Sequence, residues 1–241
     1  MRPYANHPTA SMAMRPTAGL QAAITGCLRA HGIKRVVESG AYLGLGSTRM
    51  LAGALVEVWG VEAPGLSLTT IEGNPSHWFQ AQKNLAAWPF VEVVLGPVLA
   101  RAEMEVALAS HPMLANPADP AWATVWVDNL DSPMAFYRQE ISGCLGSGSS
   151  APALRDELEA AVADIGHFGS PLICLDGCGG LGLAEFQITR DMLSGHPHAI
   201  LLDDTHHLKH WISAKELRGD VSVEMLWDDV EGGAMLVWVA A

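Results

Sequence analysis

Residues 33–47, IKRVVESGAYLGLGS, decide the reading of the fold. IKRVVES (33–39) reads as a short buried strand, and STRMLAGALVEVWG (47–60) has a helical pattern. Between them stand Gly40, Gly44 and Gly46. A strand, a glycine-rich turn and a helix start let backbone N–H groups approach a ligand closely. The spacing is G-x-x-x-G-x-G, not the G-x-G-x-x-G of a dinucleotide pyrophosphate site. Glu38, at the strand's end, is a poor neighbour for a pyrophosphate and suits a ligand carrying an ammonium group.

Downstream the same alternation continues. LSLTTIEG (66–73) reads as a strand, PSHWFQAQKNLAAW (75–88) as a helix with Pro75 in its first turn, and VEVVLG (91–96) as a third strand. PLICLDG (171–177), a helix over 184–193 and HAILLDD (198–204) follow. VSVEMLW (221–227) and AMLVWVA (234–240) flank an acidic Gly-Gly turn and read as a hairpin. The class is α/β: a Rossmann-like, doubly wound, mostly parallel sheet with an antiparallel C-terminal hairpin. Residues 97–170 exceed what one crossover needs and read as a helix plus an insertion. Within them TVWVDNL (124–130) belongs either to the insertion or, as the alternative, to the sheet. Upstream, Leu20, Ile24, Cys27 and Leu28 share one face of a helix over 19–31. Residues 1–18, with three prolines, read as a mobile arm. The division expected is an N-terminal arm and helix over 1–32, a candidate lid, and a ligand-binding domain over 33–241.

Composition narrows the partners. The 241 residues are 49% hydrophobic and carry 14 Lys+Arg against 26 Asp+Glu, a net charge of −12. Apolar content excludes intrinsic disorder, and the charge argues against nucleic acid or anionic lipid, which need clustered cations. No apolar run is long enough to span a membrane. The four irregularly spaced cysteines read as reduced thiols, so a cytoplasmic protein is expected. The insertion makes a homodimer an expectation as well.

In an open parallel sheet, ligands bind beyond the carboxyl ends of the strands. There stand Glu38, Glu72, Gly96, Asp176, Asp203 and Asp204. VVESGAYLGLGSTRMLAGAL, LTTIEGNPSHWFQAQKNL and VEVVLGPVLA together resemble class I S-adenosylmethionine (SAM)-dependent methyltransferases, nearest to the catechol and caffeoyl-CoA O-methyltransferase branch. The resemblance covers 33–100, extends partly over 171–205, and leaves the insertion unmatched. It implies that the turn Gly40, Tyr42, Gly44 to Ser47 holds the methionine portion of SAM, with Ser47 near its carboxylate; Glu38 is the cofactor-binding candidate for an ammonium group. The resemblance implies that Glu72 binds the ribose and that Gly73 and Asn74 border the adenosine; Gly96, after the third strand, and Asp176 are further cofactor-binding candidates.

The branch also holds a divalent metal with an Asp after its fourth strand and an Asp-Asn pair after its fifth. Here these are Asp176, Asp203 and Asp204, a donor set that suits Mg²⁺. The other reading has Asp203 and Asp204 cap a helix starting near Thr205. The branch places a catalytic Lys three residues after the fourth-strand Asp, where this chain has Gly179. His206 and His207, next to the acidic pair, are then the candidate bases, together with Asp176. Lys209 and His210 stand in the same cluster, LLDDTHHLKH (201–210). Trp78, Trp88, Trp122, Trp126 and Trp211 are either core or a substrate wall. The function expected is methyl transfer from SAM to a small molecule, most simply to oxygen. The alternatives are attack at another sulfonium carbon (cyclisation or lyase chemistry), a nicotinamide-dependent oxidoreductase, and a non-catalytic SAM-binding module.

Overall fold

The computed structural model describes Met14 and residues 16–116, 118–129, 131–144 and 153–241. The expected arm over 1–18 and the Gly/Ser loop over 143–152 fall largely outside the described residues. In chain order the elements are α1 (Ala18–Ala30), β1 (Arg35–Ser39), α2 (Ser47–Trp59), β2 (Ser67–Glu72), α3 (Pro75–Leu85) and β3 (Val91–Leu95). Then come α4 (Arg101–Ser110), α5 (Pro112–Ala115), a 3₁₀ turn at Pro120–Ala123, α6 (Pro133–Cys144) and α7 (Ala153–Phe168). The chain ends with β4 (Leu172–Leu175), α8 (Gly182–Met192), β5 (His198–Leu202), α9 (Trp211–Gly219), β6 (Val223–Asp229) and β7 (Ala234–Val239).

The strands form one sheet in the order β3-β2-β1-β4-β5-β7-β6. The pairs linking β1 to β5 are parallel, and β7 runs antiparallel to both β5 and β6. The described residues of TVWVDNL, 124–129, form no strand of this sheet. Trp126 pairs with His207 in an isolated bridge outside the sheet.

Two-sided burial explains why the central strands are almost wholly apolar. Leu172, Cys174, Ala199, Leu201 and Leu236 face α1 and α2, packing with Leu20, Ile24, Leu28, Leu51 and Leu55. Their sequence neighbours Ile173, Leu175, Ile200, Leu202, Met235 and Val237 face the other way, against Leu158, Phe186 and Leu217 of α7, α8 and α9. A slip of one residue would exchange the two cores, so the register is strongly specified. Asn74 caps α3, its side chain accepting from Ser76 N and His77 N, with Pro75 following as the first helical residue.

The insertion builds a third core. Leu99, Met104, Leu108, Met113, Trp122, Tyr137 and Ile141 pack with Leu181 and Leu208, which follow β4 and β5. That contact anchors the insertion on the carboxyl edge of the sheet. Helix α7 packs on β1 and α8 and is the crossover itself.

Candidate active site

Strand β1 lies between β2 and β4, so the chain leaves neighbouring strands in opposite directions and opens a crevice at their carboxyl ends. The turn after β1 is tied into that crevice. Gly40 N and Ala41 N both donate to Ile71 O (3.0 and 3.1 Å), while Asp176 N donates to Ser39 O (3.1 Å). Tyr42 has a φ of +48° and meets the His77 ring edge-on, 4.6 Å between centroids. Two cavities share Met14, Gly40, Tyr42 and Asp176: one of about 260 Å³ lined by the turn itself, including Ser47, and one of about 850 Å³ running under the insertion.

The residues expected to hold a nucleoside divide. Glu72, Gly73, Asn74, Tyr42 and Gly40 line the larger cavity. Glu72 Oε1 accepts from Asn74 N (2.7 Å), and His77 Nδ1 lies 3.8 Å away. Burial pushes the Glu72 carboxyl upward, against the Asn74 N–H and His77. Ser47 lines the smaller cavity and donates to Asp176 Oδ2 (3.1 Å). Gly96 is not among the lining residues. Its N–H is bonded to Glu72 O (3.1 Å), and Pro97 and Val98 form the wall there instead. Gly44 serves the turn rather than the cavity: it has a φ of +70°, and a Cβ there would come within 2.7 Å of Leu85 Cδ1.

Glu38 departs from the expectation. It is fully buried and lines neither cavity, because Thr48 and Thr70 each donate to its Oε2 at 2.6 Å and turn it into the protein. Its Oε1 has no partner. Burial pushes its carboxyl up to about 7, against hydrogen bonds from Ser47, Thr48 and Thr70. An unfolded Glu titrates near about 4.3. The folded protein therefore binds this proton more tightly, and the stability it contributes at low pH is lost as pH rises between those two values. Glu38→Gln is expected to gain about 2 kcal/mol relative to wild type on going from about pH 5 to about pH 8. Urea unfolding at several pH values reads this directly, and a pH-independent difference would contradict it.

At the ends of β4 and β5 the three expected carboxylates do converge. Ligand atoms of Asp176, Asp203 and Asp204 lie within 4.8 Å of one another. Helix capping does not explain them, since α9 begins only at Trp211. Lys209 does. Its Nζ lies 2.7 Å from Asp176 Oδ1 and 3.1 Å from Asp204 Oδ2, with the side chain only 5% exposed. With Ser47 on Oδ2, both oxygens of Asp176 are engaged. Burial alone would lower the Lys209 pKa, but Asp176, Asp204 and Asp203 hold it well above the ordinary value. Burial and the neighbouring Asp176 and Asp204 push the Asp203 carboxyl well above the ordinary carboxylate range. Asp204 holds a φ of +57°, a conformation that Asp and Asn adopt more readily than other non-glycine residues.

Of the two candidate histidines only His207 enters the cavity. His206 packs against Trp126 and is absent from the lining. His210 Nε2 faces Leu175 O at 3.0 Å, and burial lowers its pKa to about 3, which makes it a neutral core residue. The Lys209 backbone N–H donates to His207 Nδ1 (3.1 Å). The neutral ring therefore carries its proton on Nε2, 3.1 Å from Asp128 Oδ2 and 3.5 Å from the Tyr137 hydroxyl. Asp128 lies below the ordinary carboxylate range: burial raises it, but the bond and charge of His207 outweigh that. A side chain at Gly179 would collide with this group, a Cβ lying 2.9 Å from Tyr137 Cε1 and 3.0 Å from Asp128 Oδ2. The position that the resemblance reserves for a lysine has no room for one.

Asp128, Glu140 and Glu185 also line the cavity and were not among the sequence candidates, and Lys209, noted in the cluster after the acidic pair but given no role there, lines it as well. Glu140 accepts from Cys178 Sγ at 3.3 Å. Glu185 accepts from Ser39 Oγ at 2.6 Å, and burial pushes its carboxyl up to about 7. Among the tryptophans considered, Trp126 alone reaches the cavity.

No protein-family model matches the chain, and no curated protein sequence matches it. Solved structures do. The O-methyltransferase of Bacillus cereus, in complex with SAH, matches with a TM-score of 0.50 and 13% identity over 95% of this chain and 84% of that one. A Klebsiella pneumoniae protein provisionally described as an O-methyltransferase matches with a TM-score of 0.51 and 14% identity over 95% and 83%. At such identities the likeness is one of fold, and together with the strand order it makes this chain a Rossmann-like, class I methyltransferase fold with an antiparallel C-terminal hairpin.

Proposed function

We propose that the protein is a SAM-dependent methyltransferase acting on an oxygen of a small molecule. The observation that carries this reading is the pair of joined cavities at the switch point, with Glu72 in one wall and an acidic chamber under the insertion. A volume of about 850 Å³ falls within the range of small-molecule sites, roughly 300–1,000 Å³. Among the described residues, nine acidic side chains and one lysine line it, which favours a cationic ligand and disfavours an anionic one. SAM, when bound, supplies a methyl carbon activated by a sulfonium. The Gly40–Ser47 turn would take its methionine portion and Glu72 its ribose hydroxyls.

The chain's part is to orient the acceptor, take up its proton and exclude water. The proton-accepting unit is the Asp128–His207 pair, with the Tyr137 hydroxyl beside it. Met14, Thr17 and Leu20 already wall the cavity, which supports the N-terminal segment as its cover.

Thermal shift tests the reading. SAM and SAH should raise the melting temperature and NAD should not, because a ligand that binds only the native state stabilises it. Absence of a shift with both SAM and SAH would sink the proposal. Glu72→Ala should weaken SAM binding by about ten- to a hundredfold, the worth of hydrogen bonds to a charged group. Calorimetric titration giving an unchanged affinity would remove Glu72 from the site.

A further inference from the structure

We propose that Lys209 is the resident cation of this site: its ammonium takes the place of a divalent ion at Asp176 and Asp204, and presents its remaining N–H to one oxygen of the acceptor. The second half rests on the methyl-transfer reading; the first does not.

The donor set has the composition of a metal site, three carboxylates with ligand atoms within 4.8 Å of one another. A divalent ion would sit roughly 2.0–2.6 Å from such oxygens. Asp176 Oδ1 and Asp204 Oδ2 are already bonded to Lys209 Nζ at 2.7 and 3.1 Å, and Asp176 Oδ2 is bonded to Ser47 Oγ. An ion bridging the same oxygens would compete with the ammonium for the same lone pairs and be repelled by its charge. The residues present therefore do not fit a metal ion while Lys209 is in place.

Its placement is built into the fold. The side chain is only 5% exposed, and its stem runs against Gly182, where a Cβ would come within 2.5 Å of Lys209 Cγ. The backbone N–H of Lys209 is held by His207 Nδ1, which ties the cation to the Asp128–His207 pair. An ammonium has three N–H donors, and two are accounted for by Asp176 and Asp204. Lys209 lines the cavity, so the third is available to a ligand. A metal ion can chelate two oxygens of one acceptor, whereas one N–H binds one. The acceptor class that follows is a small molecule with a single hydroxyl or enol, without need of a vicinal diol.

The experiment is Mn²⁺ binding to the full-length protein, by calorimetry and by electron paramagnetic resonance, in wild type, Asp176→Asn and Lys209→Met. The expected result is no Asp176-dependent Mn²⁺ site in the wild type, and in Lys209→Met one site at least about a hundredfold tighter than any wild-type binding at that position. An Mn²⁺ site in the wild type that Asp176→Asn abolishes overturns the proposal. So does a folded Lys209→Met that gains no site. If Lys209→Met does not fold, the comparison of wild type with Asp176→Asn decides alone. None of these readouts involves SAM, so a failure here is distinguishable from a failure of the methyl-transfer reading. For the second half, turnover of a simple phenol by the wild type in EDTA is expected, and activity that EDTA abolishes and Mg²⁺ restores overturns it.

Discussion

Replacing Asp128 with Asn is expected to lower kcat about a hundredfold, His207→Ala to lower it to the same level, and the double variant to fall no further. The reason lies in the tautomer. With Nδ1 bonded to a backbone N–H, the imidazole cannot present a free lone pair on Nε2 while neutral, and its proton points at Asp128. The ring alone is therefore not the base. On the proposed reading, a proton leaving the acceptor hydroxyl would arrive at the Asp128–His207 pair, whose members share one hydrogen bond and would lose function together. Removing His207 leaves a buried carboxylate without its main partner, and removing the charge at Asp128 leaves an imidazole donor with nothing to receive a proton. Positioned proton transfer is worth roughly 10²–10⁴ in rate. The readout is SAH release with a panel of small phenols as acceptors. Losses that multiply in the double variant would show two independent groups, and an unaffected kcat in either single variant would remove the pair from the chemistry. Asp128→Asn should leave SAM affinity near that of wild type, which separates this outcome from a collapsed site.

The same pair shows where the sequence stopped being informative. The sheet was legible because β4 and β5 are apolar at nearly every position, and because α2 and α3, which follow β1 and β2, show a different period, so local pattern and global fold agree. The cavity wall formed by Gly40, Tyr42, Glu72 and Asn74 was legible because these residues follow strand ends close in sequence, where topology alone brings them together. Glu38 misled: a carboxylate at a strand end reads as a ligand, but strand alternation turns it toward Thr48 and Thr70. Asp128 was hidden inside TVWVDNL, a short apolar run whose polar member becomes meaningful only once Trp126 bridges to His207. Lys209 was in view within LLDDTHHLKH, yet nothing local says that its stem runs past Gly182 to reach Asp176 at the end of β4. The resemblance located a lysine after β4. The structure supplies one from after β5 instead, a substitution in space that no spacing rule records.

Gly40→Ala should destabilise the protein by about 3–4 kcal/mol, while Gly26→Ala in α1 should stabilise it by about 0.5–1 kcal/mol. Both add one methyl group, so the contrast isolates position. Gly26 lies in the interior of α1 with nothing within 4 Å of its Cβ position, and there alanine simply reduces the freedom of the unfolded chain. Gly40 has a φ of +88°, a backbone region that costs an L-residue roughly 1–2 kcal/mol. Its Cβ would also lie 2.1 Å from Asp176 O and 2.6 Å from the attached carbon. Those are backbone atoms at the end of β4, fixed by the Asp176 N–H bond to Ser39 O, so neither side can yield by changing a rotamer. Overpacking of this kind adds roughly 1–3 kcal/mol. Relief requires the turn and the β4 end to separate, which moves Asp176 and, through its bonds to Lys209 and Ser47, the floor shared by both cavities. The loss of stability should therefore come with a loss of SAM affinity, even at temperatures where the variant is fully folded. Denaturant unfolding and calorimetry measure the two separately. A Gly40→Ala variant as stable as Gly26→Ala would show that the turn does not press on β4, and one that is destabilised but binds SAM like the wild type would show that the crevice between β1 and β4 is not where the ligand sits.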